Sequence, residues 1–194
     1  MGLVTVLRHG RTSANAQGLL QGRVDNPLDD VGHAQARAAR LALGPVDQVI
    51  SSPLRRAVET AAHFDGDPLI DDRWIELDYG DWDGIPMGDV PGETWQAWRG
   101  DLDLRPPGGE TLNEVGERVR AALEELAAAN DGGHTLIVSH VSPIKAAVAW
   151  TLGVDDQISW RTNLTTGSYS QLRVDHERRV LASFNVVPPP VDVH

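Results

Sequence analysis

Two histidines and a set of arginines are spaced so that they could hold and attack a phosphoryl group. The first histidine lies in Arg8-His9-Gly10, directly after the apolar run 3–7. The second lies in Ser139-His140-Val141-Ser142-Pro143, and a third apolar run leads into Ser51-Ser52-Pro53-Leu54-Arg55-Arg56. A neutral imidazole is a competent phosphoryl acceptor. Guanidinium forks can neutralise the oxygens of the group in transfer. An isolated histidine at a strand end is more often a satisfied structural residue, and arginines near a helix start sit at the wrong end of its dipole. The pattern recurs at three run ends, and that repetition points to chemistry.

A proton carrier would complete such a site, and residues 74–84 offer candidates. Glu76, Asp78, Asp81 and Asp83 lie there, close to Trp74 and Trp82. A carboxyl next to tryptophan is desolvated, and desolvation is what a general acid needs. The residues alone do not choose among the four.

Composition removes the main rivals. The chain has no cysteine, so thiolate nucleophiles and thiolate metal sites are excluded. Its single lysine, Lys145, is not in a P-loop context. The formal net charge of −11 disfavours nucleic acid and anionic membranes as partners. An acidic protein that takes an anionic substrate must then rely on a local arginine cluster, acting within a Debye length of roughly 8–10 Å. No apolar stretch approaches the roughly 20 residues of a membrane helix. The start of the chain carries no basic flank or cleavage site, so a cytoplasmic location is expected.

Hydrophobic residues make up 41% of 194, enough for one ordinary domain. Runs 3–7, 46–51 and 135–139 read as buried strands. A long loop spans 11–30, and a loop of that length is usually functional. Helices are expected over 31–43, capped by Asp29 or Asp30 with Ala34, Ala38 and Leu41 on the apolar face, and over 112–129. Ser52-Pro53 and Ser142-Pro143 read as N-cap followed by first helical residue, opening helices to about His63 and Leu152. Their backbone N–H groups would suit a bound anion. Residues 66–109 are the least regular, with one short helix near 93–100 and four of the six tryptophans. Strands 169–174 and 180–185 form a hairpin around Glu177. The alternation predicts an α/β sandwich with a largely parallel sheet, whose C-terminal strand ends share one edge. A single domain over 1–186 and a flexible tail over 187–194 are expected.

Taken together, Leu7-Arg8-His9-Gly10-Arg11-Thr12 with Asn15, Gln21-Gly22-Arg23 with Pro27-Leu28, Ser52-Pro53-Leu54-Arg55-Arg56-Ala57 with Thr60, Glu76 with Tyr79-Gly80, Gly108-Gly109-Glu110 and Val138-Ser139-His140 resemble the histidine phosphatase superfamily. The likeness is to its phosphoglycerate-mutase-like branch, including small phosphatases of the alpha-ribazole type, and it runs over nearly the whole chain. It implies a three-layer α/β/α sandwich and hydrolysis of a small-molecule phosphomonoester. By resemblance, His9 becomes phosphohistidine and Glu76 is general acid and then base. Arg8, Arg56 and His140 would clamp the phosphoryl oxygens, with Asn15 and Gln21 as further contacts. No metal or cofactor is implied.

Arg11 departs from the family pattern; it could add a cation near the substrate or point to solvent, and the solvent reading is preferred. The alternatives are mutase-type phosphoryl transfer and a non-catalytic phospho-ligand module of the same fold. The short chain and the Trp95- and Trp98-bearing segment 84–109, read as a cover over the site, favour a phosphatase. The substrate stays open, as does a homodimer.

Overall fold

The computed structural model describes residues 1–129 and 132–190. In chain order the elements are β1 (Gly2–Arg8), α1 (Ser13–Ala16), α2 (Asp30–Leu43), β2 (Gln48–Ser51), α3 (Arg55–Ala61), β3 (Leu69–Ile70), α4 (Gly92–Gly100), α5 (Leu112–Ala129), β4 (His134–Ser139), α6 (Val141–Leu152), β5 (Tyr169–Val174) and β6 (Arg179–Val186). The sheet order is β3-β2-β4-β1-β5-β6. β1 to β4 pair in parallel, while β5 and β6 add an antiparallel edge. The expected largely parallel sheet is thus present.

Alternation along the central strands builds two cores. Val4 and Val6 of β1 with Ile137 of β4 meet Val115, Val119 and Leu123 of α5 and Ile144 and Ala147 of α6. Leu7, Leu136 and Val138 face the other way, onto Ala39 of α2 and Ala57 and Ala61 of α3. Helices cover both faces, which gives three layers. Each of the buried Val, Leu and Ile side chains contributes roughly 1.5–3 kcal/mol over its exposed state.

Several local expectations are corrected. The loop over 11–30 contains α1, closed by a reciprocal Thr12–Asn15 capping box. On α2 the buried face carries Ala36, Ala38 and Ala39, while Leu41 is 70% exposed. Ser52 and Ser142 are not caps. α3 starts only at Arg55 after Leu54, and α6 starts at Val141 after His140, with no side-chain cap at either. The serines have other partners: Ser52 Oγ lies 2.7 Å from His140 Nε2, and Ser142 N donates to Glu76. β3, two residues long, carries too little pattern to be read from sequence. The expected tail divides: Val187, Pro188 and Pro190 line a shallow apolar cavity with Val31 and Ala38 of α2, and 191–194 lie outside the described residues.

The topology brings the three motif-bearing strand ends to one edge. His9 N donates to Ser139 O at 3.0 Å, and Ser52 N donates to Val138 O at 3.0 Å. His9, Ser52 and His140 therefore leave adjacent strands side by side. Behind them Gly10 and Gly32 pack backbone to backbone, where a Cβ on either would collide with its neighbour.

Candidate active site

A cavity of about 440 Å³ opens at this edge. Arg8, His9, Asn15, Gln21, Glu76, Tyr79 and Lys145 are in its wall. His9 is 3% exposed, and its Nδ1 donates to Gly10 O at 2.7 Å, so Nε2 carries the free lone pair. Burial first, then the charges of Arg56 and Arg8, hold its pKa well below 6.5. A ring kept neutral is the nucleophilic form.

The loop around Thr12 presents donors to the cavity. Thr12 Oγ lies 2.6 Å from Gln21 Oε1, and Asn15 Oδ1 accepts from Thr12 N at 3.1 Å. The acceptor ends of both amides are thereby engaged. Among the described residues Gln21 Nε2 and Arg8 Nε are buried with no hydrogen-bond partner. Arg8 Nη1 is held on Leu164 O. Unpartnered buried donors cost about 1–3 kcal/mol each, and an anion in the cavity would relieve that cost. Thr12, the organiser of this loop, was quoted as a motif residue but given no role by sequence.

Arg56 and His140 are not in the cavity wall. Both are fully buried behind His9, whose ring centroid lies 5.0 Å from that of His140. Arg56 donates to His140 Nδ1, Val24 O and Gly22 O at 3.2, 2.8 and 2.6 Å. Burial pushes its pKa down to about 10, still charged at neutral pH. Burial likewise keeps His140 neutral, reinforced by Arg56.

Among the four carboxylates only Glu76 reaches the cavity. Oε1 accepts from Leu77 N and Ser142 N at 2.7 and 3.2 Å, and Oε2 accepts from Val141 N at 3.0 Å. The N-terminus of α6 thus receives an anion as expected, but that anion is Glu76 rather than a ligand. Oε2 keeps a free lone pair for a proton. Asp83 instead accepts from the backbone N–H of Gly22, Arg23 and Val24, and Asp78 pairs with Arg23. Asp81 is exposed.

Part of the segment after Glu76 borders the cavity. Leu20 N donates to Ile85 O, Gly84 N to Leu20 O and Met87 N to Gly18 O, docking it on the loop. Met87 is its contribution to the wall. Trp98, 1% exposed, is at the centre of an aromatic cluster: it stacks on Trp95 and meets Tyr79, Trp82 and Trp160 edge-on. The tryptophans pack this segment onto the core. Arg11 corrects the solvent reading, since its Nε pairs with Asp29 at 2.8 Å and the residue forms part of the rim. Lys145, one turn along α6 from Val141, was discounted by sequence because only its P-loop context was tested.

Among the described residues no group of three His, Asp or Glu side chains is placed to hold a metal ion, and no helix is long and apolar enough to cross a membrane.

Comparison with known proteins gives a consistent set of relatives. A family model described as histidine phosphatase superfamily (branch 1) matches residues 4–187. A bifunctional protein of Mycobacterium tuberculosis is 34% identical over 175 residues, which is 85% of this chain and 48% of that protein. The chain therefore spans about half the length of the first curated relatives it matches. Phosphoserine phosphatase 1 of Hydrogenobacter thermophilus is 31% identical over 93% of this chain and 90% of its own. The solved structure of mycobacterial glucosyl-3-phosphoglycerate phosphatase with VO3 superposes with a TM-score of 0.85 at 31% identity, covering 95% of this chain and 99% of that one.

Proposed function

Because the chain belongs to the histidine phosphatase superfamily (branch 1), we propose that it hydrolyses a small-molecule phosphomonoester through a phosphohistidine on His9. The observation that carries this reading is the cavity wall itself. A neutral imidazole with a free Nε2 faces the buried, unpartnered donors Arg8 Nε and Gln21 Nε2 and the carboxyl of Glu76.

In the proposed reaction Nε2 of His9 attacks phosphorus, and the bond to the ester oxygen breaks. Glu76 gives its proton to the departing oxygen. Arg8, Asn15 and Gln21 hold the phosphoryl oxygens from the cavity side. Arg56 acts from behind through its positive charge, and the neutral His140 ring packs between it and His9. Water then attacks phosphohistidine, Glu76 takes its proton, and the N–P bond breaks. The scheme uses no metal or cofactor.

Hydrolysis is favoured over transfer between sugar-acid positions because segment 84–109 brings no cation to the wall. Arg99 lies over the Trp160 ring, and Arg105 pairs with Glu114. Residues 1–186 are proposed to work as one catalytic domain, in the cytoplasm. The test is phosphate release from a panel of phosphomonoesters in EDTA. Release in EDTA is expected. Activity lost in EDTA and restored by Mg²⁺ or Zn²⁺ would overturn the reading.

A further inference from the structure

Two consecutive peptide groups after the nucleophile are each held at both ends by other groups. In the first, His9 O accepts from Gly167 N at 3.1 Å, and Gly10 N donates to Thr60 Oγ at 3.0 Å. In the second, Gly10 O accepts from His9 Nδ1 at 2.7 Å, and Arg11 N donates to Gln35 Oε1 at 2.8 Å. One peptide plane therefore joins the imidazole of His9 to the side chain of Gln35.

Gln35 is on α2 and outside the cavity wall. Its amide is fixed from three sides. Only oxygen can accept from Arg11 N, so Nε2 is turned the other way, where it donates to Thr166 Oγ at 3.1 Å. Its stem lies against Gly167, where an added Cβ would come within 2.7 Å of Gln35 Cβ. Gly167 has φ +70°, so the turn suits glycine in both backbone and space. This turn meets the glutamine on one side and the carbonyl of His9 on the other.

The chemistry follows from how hydrogen bonds polarise one another. When Arg11 N–H donates to Gln35, the Gly10 carbonyl on the same peptide becomes a better acceptor. A stronger bond from His9 Nδ1–H to that carbonyl keeps the ring proton on Nδ1 and stops the ring from turning. Both effects leave the Nε2 lone pair aimed in one direction, which an in-line attack requires.

We propose that Gln35 is a positioning residue for His9, holding the Gly10–Arg11 peptide so that Nε2 is presented to phosphorus. Its part in catalysis rests on the phosphatase reading, whereas its hold on the ring does not.

The experiment compares Gln35→Met, which has similar length and no acceptor, with Gln35→Glu, which has the same shape and a stronger acceptor. The His9 ring signals of the ¹⁵N-labelled full chain are identified by their loss in His9→Ala. Gln35→Met should move the Nδ1 proton upfield and speed its exchange with solvent, and Gln35→Glu should move it downfield. In Gln35→Met, calorimetric binding of inorganic phosphate should stay within about twofold, because Gln35 does not line the cavity. Rapid-quench formation of phosphohistidine from p-nitrophenyl phosphate should slow about five- to tenfold, the scale of one neutral hydrogen bond. A His9 proton that ignores both substitutions would overturn the assignment, as would phosphate affinity and rate falling together. Should Gln35→Met fail to fold, the downfield shift in Gln35→Glu still decides. A native protein that hydrolyses no ester while its ring signals respond would overturn the phosphatase reading and the catalytic part of this one. Silent ring signals in an active enzyme would overturn the Gln35 assignment alone.

Discussion

Arg56 donates from Nε to Nδ1 of His140 across 3.2 Å, and that bond sets the histidine's tautomer. With Nδ1 accepting, the ring proton sits on Nε2, 2.7 Å from Ser52 Oγ. One arginine thus fixes a neighbouring ring, ties down the loop carbonyls of Gly22 and Val24, and places charge behind His9. Arg55, next in sequence, is exposed and pairs with Glu59.

The two arginines are therefore expected to be unequal. Arg56→Ala should lower kcat/KM by about 10²-fold or more, through loss of oriented charge in a dry site. Arg55→Ala should cost under about tenfold, as for an exposed ion pair. Equal losses in steady-state kinetics would mean that Arg56 has no special place behind the nucleophile.

His9→Ala should abolish turnover. In the native enzyme, mass spectrometry after an acid-free quench should find one phosphoryl adduct on His9, as expected for covalent catalysis. An adduct on Ser139 or Ser142 would remove His9 from the mechanism.

Both site histidines are held neutral, chiefly by burial, with pKa well below 6.5. The unfolded chain takes up these protons near pH 6.5, and the folded protein only at lower pH. Their contribution to stability is complete above pH 6.5 and is lost as pH falls toward the folded values. Each should add up to about 1.4 kcal/mol per pH unit to the slope of urea-unfolding free energy. His140→Gln should flatten that slope by about one proton. An unchanged slope would show that His140 titrates alike in both states. For activity, the acid limb of kcat/KM due to His9 should fall below pH 6.5.

These features differ in how far sequence could reach them. The strand ends bearing His9, Ser52 and His140 were legible because short β-branched runs and parallel topology fix one edge. The caps at Ser52 and Ser142 were misread. The Ser-Pro pattern records only local propensity, while tertiary partners in His140 and Glu76 claimed those serines. The carboxylates could not be ranked, since what separates Glu76 from Asp83 is which backbone N–H groups each meets. Asp83 meets a loop about sixty residues away in sequence. Lys145 is silent in sequence because its place in the wall depends on which face of α6 looks onto the cavity.

Asp83 gathers the N–H groups of Gly22, Arg23 and Val24 and so positions the loop that carries Gln21. Asp83→Ala should lower kcat/KM about tenfold and lower thermal stability, on the scale of about 1–3 kcal/mol for charged hydrogen bonds. Asp81→Ala, at an exposed position, should stay within about twofold. Matching effects of the two would mean that the loop is held by other contacts.

The acid–base assignment is tested at Glu76. Its carboxylate accepts three backbone N–H bonds, two on Oε1 and one on Oε2. Glu76→Gln removes the proton but also turns an amide N–H₂ toward one of those donors, so some loss of stability is expected, about 1–3 kcal/mol. A general loss of fold would slow every substrate alike, and the comparison of leaving groups removes it. An alkyl phosphate departs as a strongly basic alkoxide and needs the proton, so its turnover should fall about 10²–10⁴-fold. p-Nitrophenyl phosphate leaves as a stable phenolate, so its first step should fall far less. If breakdown of phosphohistidine becomes limiting, the mutant should show a pre-steady-state burst with the aryl ester, because Glu76 is then missing as the base for water. Equal slowing of both esters without a burst would leave Glu76 a structural cap on α6. Native rates on both would move the acid to Tyr79, another proton-bearing group on that wall, whose pKa burial raises.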